Sequence, residues 1–311
     1  LSTLQISNLN TEQIAAMSAL QVGALSADQI NYMSTEQMAA IEGADLQRIK
    51  ASVVAALDTT HINALSSVQT PRLTTAQLAA LSTRQIRAIS EEDIATLTAA
   101  QVKVLKGDQL KALSTQQIAS FTTTQASALA TNQIVALTTE QIQNLSSNNL
   151  NALSLQQIAA LSPTQIMALT TDQVKNLTDE KLASLTSVQV GFLTTAQIDG
   201  LTTSQFAKFT AAQIKGLTAS QIISISTADI RSMTNEQIAA LKTQQVQSLT
   251  DAQIISLSSD QIRYLTPAQL AAMTISQTAK ITTGDIQALS AVQLKALTND
   301  QVAGLTDEQV K

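Results

Sequence analysis

An eight-residue unit governs this chain from end to end. Counted from Ser2 it reads [Ser/Thr]-x-x-Gln-[Ile/Val/Leu]-x-x-Leu and repeats 38 times to Leu305, with no residue inserted or lost. A further, incomplete unit starts at Thr306. Such an array is quasi-one-dimensional, each unit being stable only against its neighbours. The period is also restrictive. A strand alternates with period two, yet the constant apolar positions are five and eight, an odd spacing. A continuous helix turns about 800° in eight residues, so its apolar stripe would drift by about 80° per unit and wrap the surface. A series of short helices, one per octad, meets neither objection.

Three signals mark where each helix starts and stops. Position one is Ser or Thr in 31 of 38 octads and position four is Gln in 30. Ser/Thr-x-x-Gln is a capping box, in which the hydroxyl accepts from the fourth amide and the Gln side chain reaches back to the first. Pro163 and Pro267 both stand at position two, the first helical residue, where a missing N–H leaves nothing unpaired. The charges are sorted as well. Of 23 acids, 22 lie in positions one to four, and 13 of 18 bases lie in positions six and seven. Acid at the start and base at the end suits the helix dipole, and here the dipole resets every eight residues.

Seven helical residues, about two turns, are too few to persist alone in water, so packing must hold them. Positions one, four, five and eight share a face about 100° wide, which points the apolar residues of positions five and eight inward. Position seven is most often Ala, small enough for close approach of the next coil. The connection is only positions eight and one, too short for a comfortable reversal. The expected fold class is therefore all-α: a solenoid of very short helices, about three or four per coil, forming one continuous array over residues 1–311. A 16- or 24-residue superperiod is absent.

Capping alone would admit Glu at position four, but Glu never occurs there, whereas Asp45, Asp93, Asp229, Asp285 and Asn149 do. This pattern predicts a Gln that is partly buried and bonds both its own cap and the adjacent coil; the alternative is simple capping propagated by repeat duplication. One stretch departs from the pattern. From Glu42 to Leu73 the caps include Glu42, Lys50 and Asp58, Val53 and His61 replace Gln, Thr70 replaces the inner apolar residue, and Pro71 enters a helix interior it is expected to break. Thr278 weakens a second unit in the same way.

Chemistry-bearing residues are scarce. His61 is the sole histidine and there is no cysteine, so no second ligand completes a metal or nucleophile site around it. It stands in a Gln slot, where an imidazole can cap or fill the seam. Asp179/Glu180 and Glu91/Glu92/Asp93 look like ligand clusters but fall at helix starts, where the dipole accounts for them. The eight glycines are dispersed and form no phosphate loop. We expect no catalytic residue, no cofactor-binding or metal residue, and no cofactor. The chain is 44% apolar with 13% charged residues and a net charge of −5, a surface that attracts neither nucleic acid nor an anionic membrane. No apolar run is long enough for a spanning helix. The start at Leu1, without Met or signal peptide, reads as a fragment or a processed product. Threonine pairs such as Thr138-Thr139 and the sequons at Asn144 and Asn176 are compositional glycan candidates.

The octad Thr-x-x-Gln-Ile-x-x-Leu resembles arrays in large, repetitive bacterial secreted or surface proteins. Leu161 to Leu169 is locally similar to the first helix of a TAL-effector repeat, but the longer period and basic surface of that family are missing, so DNA binding is not implied. The resemblance implies a non-enzymatic structural protein outside the cell: a filament, a stalk such as an adhesin's, or a spacer. With three octads per coil its length would be on the order of 120 Å from helix packing distances. Open terminal octads predict end-to-end self-association. The second expectation is a secreted, effector-type solenoid that binds a protein partner, with 42–73 as its irregular patch.

Overall fold

The computed structural model describes residues 1–310, which contain 38 α-helices, one 3-10 helix and no strand. The octad starting at Thr74 shows how each unit is built. Thr74 is extended (φ −71°, ψ 156°), and its hydroxyl accepts from the Gln77 amide at 3.1 Å. The Thr74 amide donates to Gln77 Oε1 at 2.7 Å, completing the box. The helix Thr75–Ala80 follows, and the Leu81 amide closes it with a three-residue bond to the Leu78 carbonyl at 3.2 Å. Leu81 is again extended (φ −60°, ψ 140°).

The helices are shorter than the seven residues expected, four to six residues each. The difference lies at position eight, which leaves the helix in order to turn the corner. Two consecutive extended residues make that corner, and no described residue has positive φ or a cis peptide. The corner therefore needs no glycine, which is why glycines are few. Where Pro71 enters a helix interior, the octad keeps only a 3-10 turn, Thr70–Arg72.

The chain divides into two compact units, Leu1–Leu161 and Ser162–Lys311. The octad register passes Leu161-Ser162 in sequence without interruption. Within each unit a helix packs on the third one along. In the first, Thr83–Ala88 packs on Gly107–Ala112, and Thr115–Ala119 on Thr139–Asn144. In the second, Ser187–Phe192 packs on Ala211–Gly216, and Ala219–Ser224 on Thr243–Ser248. Side-chain bonds to the neighbouring coil span 28 to 31 residues. One coil thus takes between three and four octads. Because that number is not whole, successive octads are related by a screw and see the same surroundings. A superperiod in the sequence would have nothing to encode.

Positions five and eight form the core, as in Ile86 and Ile89 of the first unit and Ile214 and Leu217 of the second, all buried. Position seven meets position two of the third preceding octad. A Cβ on Gly107 would sit 3.2 Å from the Ala136 Cβ, and one on Gly216 would run into the Ser187 carbonyl. At these two contacts a small residue at position seven lets the coils approach closely. No helix of the described residues is long and apolar enough to cross a membrane.

Candidate functional site

The one polar structure built repeatedly into both units is a ladder of buried glutamines. Each Gln holds its Oε1 on its own cap amide and sends Nε2 to carbonyls of the octad four places earlier. Gln109 Nε2 donates to the Leu78 and Leu81 carbonyls, both at 2.8 Å. Gln245 does the same to Ile214 at 2.8 Å and Leu217 at 2.7 Å. The pattern holds from Gln37 to Gln157 in the first unit and from Gln197 to Gln309 in the second, wherever position four is Gln. Gln77 and Gln125 are only 1% exposed. The oxygen thus accepts from the cap and the NH2 group donates to two carbonyls of the neighbouring coil. A Glu would lose the donor and press a charge against two carbonyls, which explains its exclusion. Capping by itself does not account for the Gln.

The substituted positions show which half of the device is essential. At Lys106, Ala130 and Lys242 no hydroxyl is present, yet the cap amide still donates to the Gln Oε1. Asn149 is one carbon shorter but reaches the Phe121 carbonyl at 2.8 Å. Where Asp follows a hydroxyl cap in place of Gln, the hydroxyl still accepts from the Asp amide and also donates to the carboxylate: Ser90 to Asp93, Ser226 to Asp229 and Thr282 to Asp285, each at 2.6 Å. These carboxylates are buried, and Asp229 Oδ1 has no hydrogen-bond partner. Thr70 Oγ1 is likewise buried and unpartnered, whereas Thr278 bonds back to the Thr274 carbonyl at 3.1 Å.

His61 is a ladder residue in a different form. Its Nε2 lies 2.8 Å from the Met33 carbonyl, 28 residues earlier, and its Nδ1 lies 2.7 Å from Asp58 Oδ1 on its own cap. The imidazole both caps and fills the seam. Burial pushes the Asp58 carboxyl up, but the hydrogen bonds from the His61 amide and ring, with the charge of that ring, outweigh it and hold Asp58 below its ordinary value. Asp45 and Val53, in the two octads before, have no amide to donate.

The other sequence candidates stay apart from one another chemically. Glu91 and Glu92 are exposed while Asp93 is buried, and Asp179 and Glu180 are exposed in the first turn of Asp179–Ser184. Among the described residues no group of three His, Cys, Asp or Glu is placed to hold a metal ion. The sequon amides are engaged as C-terminal caps: Asn144 Nδ2 donates to the Glu140 carbonyl at 2.8 Å and Asn176 Nδ2 to that of Asp172 at 2.7 Å. A surface groove in the second unit is lined by Val188, Gly191, Phe192, Lys215 and Lys242. Phe192 and Val188 are exposed there; Phe192 stands at position seven, most often Ala, a departure that the octad pattern could have marked, whereas Val188 at position three carries no such signal.

The family model of the ALTTAQ repeat matches residues 6–42, 38–75, 71–107, 102–139, 131–163, 142–179 and 278–311, about two thirds of the chain. The chain belongs to the ALTTAQ repeat family. Each matched stretch covers four to five octads, long enough to hold both ends of one ladder bond. The ALTTAQ chain is thus a repeat protein in which each matched stretch is longer than one structural coil. No curated protein matches it.

Proposed function

We propose that this ALTTAQ repeat chain is a structural element, a filament, stalk or spacer outside a bacterial cell, and that it joins to further octads end to end. The ladder is the observation that carries this. Its bonds link octad to octad rather than converging on a site, which suits a part whose task is to span distance. The sequence resemblance to bacterial surface arrays points the same way. The ladder also has a polarity, with Gln amides facing one way along the array and carbonyls the other, a heterologous pairing of octads suited to open fibres.

Electron microscopy of the purified chain over a concentration series tests this. The expected result is particles that lengthen with concentration and show an axial repeat of one coil. Particles of constant size at every concentration would leave the second proposal, a scaffold for a protein partner. The exposed Phe192 and Val188 beside Lys215 and Lys242 favour that reading, because an apolar patch edged with positive charge suits an acidic partner segment.

A further inference from the structure

The ladder has one weak stretch, and a single ionisable ring lies at its end. Position four is Asp45, Val53 and then His61 in three successive octads. Before them Gln37 reaches the Leu9 carbonyl, and after them Gln69 reaches that of Ile41. Between those two rungs the ladder donor is the ring of His61, on the carbonyl of Met33. The same seam carries one other link. Asn31 Nδ2 donates to the Ala56 carbonyl at 3.1 Å, and the Asp58 amide donates to Asn31 Oδ1 at 3.0 Å.

Both ring nitrogens face acceptors only, a carboxylate oxygen and a backbone carbonyl. A neutral imidazole carries one N–H and can serve one of them, leaving a lone pair against the other. The imidazolium serves both. The ring is 4% exposed, so water cannot readily replace a lost partner. The helices packed against Thr59–Asn63 are Thr35–Ala40 and Thr83–Ala88. Their charged side chains, Glu36, Arg84 and Arg87, are all exposed, and the ion pair made by the ring is with Asp58.

We propose that His61 is a proton-operated latch in the ladder: its imidazolium ties the Met33 coil to the Asp58 cap, and loss of the proton releases one contact and loosens the octads before Glu42. The sign follows from the geometry. Only the protonated ring has an N–H for each acceptor, so the full pair of contacts belongs to the acid side and one of them is lost when the proton leaves. Protonation of Asp58 breaks the same pair from the other side, so the seam is tightest between the two events. A Gln at this position would hold Met33 at any pH; the His makes this rung conditional.

The single histidine allows a direct test on the full chain. Ring nitrogen resonances of the folded protein at about pH 5.5, below the usual histidine range, are expected to show an N–H on both nitrogens. Amide hydrogen exchange over residues 2–33, corrected for the intrinsic pH effect, is expected to speed up roughly tenfold or more towards pH ~8.5, as befits one charge-assisted hydrogen bond. His61→Gln is expected to keep the protection and abolish its pH dependence. A neutral ring in the folded chain at the acid end overturns the proposal. So does exchange with the same pH dependence in the parent chain and His61→Gln. Should that variant fail to fold, the ring resonances and the exchange of the parent chain decide the matter.

Discussion

A primary amide is the smallest group that can accept from one backbone segment and donate to two carbonyls of another, and position four uses all of that capacity. Gln109→Glu is expected to lower stability by about 2–4 kcal/mol, combining a lost donor with an unpaired charge in the seam. Gln109→Asn should lose much less, because Asn149 already spans the same gap. Thermal melts at neutral pH check both, and an unchanged curve for the Glu variant would sink the ladder as a source of stability. The acid limb has its own marker. The Asp58 carboxyl is held below its ordinary value, so the stability it supplies is present above the unfolded value near 3.8 and is lost as pH falls through the lower folded value. Asp58→Asn is expected to reduce the acid loss of melting temperature, measured between about pH 5 and pH 2. The bonding of Gln to a second coil was legible at this scale, from Glu never standing where Asp, Asn and Gln do. The partner of His61 was not legible, because nothing local to Asp58-Thr59-Thr60-His61 points to a carbonyl 28 residues away.

Each helix stands by virtue of its caps and its neighbours, since five or six residues hold too few internal bonds to last alone. The starts of these elements were written plainly in Ser/Thr, Gln and Pro163. Their ends were harder to place. Leucine at position eight suits a helix or an extended corner equally, and the demand to turn, imposed by packing between coils, decides for the corner. Pro71 was readable as a breaker, but the sequence does not say that a 3-10 turn takes over. Close approach at position seven gives a test of packing. Gly216→Ala would drive a methyl into the Ser187 carbonyl and should cost about 1–3 kcal/mol by prising apart Ser187–Phe192 and Ala211–Gly216. Gly284 lies in a helix with open space where its Cβ would be. Gly284→Ala should therefore stabilise, by roughly 0.5–1 kcal/mol from helix propensity. Chemical denaturation of the two variants gives opposite signs if coil spacing is set by backbone contact, and like signs if it is not.

For the molecule as a whole the octad is the unit of substitution. Screw equivalence hides the coil from the sequence, which is why the count of helices per coil reads there as three or four, while the 28- to 31-residue bonds put it between the two. The same equivalence makes a prediction about length. Removing one whole octad, Thr138–Leu145, leaves every remaining residue in an ordinary position, so the ladder can close again with new partners. That deletion should keep helical circular dichroism and a cooperative melt. Removing half an octad, Thr138–Gln141, leaves Ile142–Leu145 without a cap or a Gln and too short to span one side of a coil, so the following octads can no longer meet their ladder partners in phase, which should abolish the cooperative melt. Equal tolerance of the two deletions would mean that register does not hold the array together.

One feature of the ladder also has a direction in time. From Gln37 to Gln157 and from Gln197 to Gln309, the ladder Gln amides donate to carbonyls that lie 28 to 31 residues before them in the chain. A growing polypeptide has therefore already made the acceptors when each donor appears, and a ladder bond can close as soon as the fifth octad, counted from the one that holds the acceptors, emerges. The span of these contacts does not grow with the chain, so relative contact order falls as octads are added. An array of this kind can be lengthened without becoming slower to fold, and it can leave the ribosome already wound.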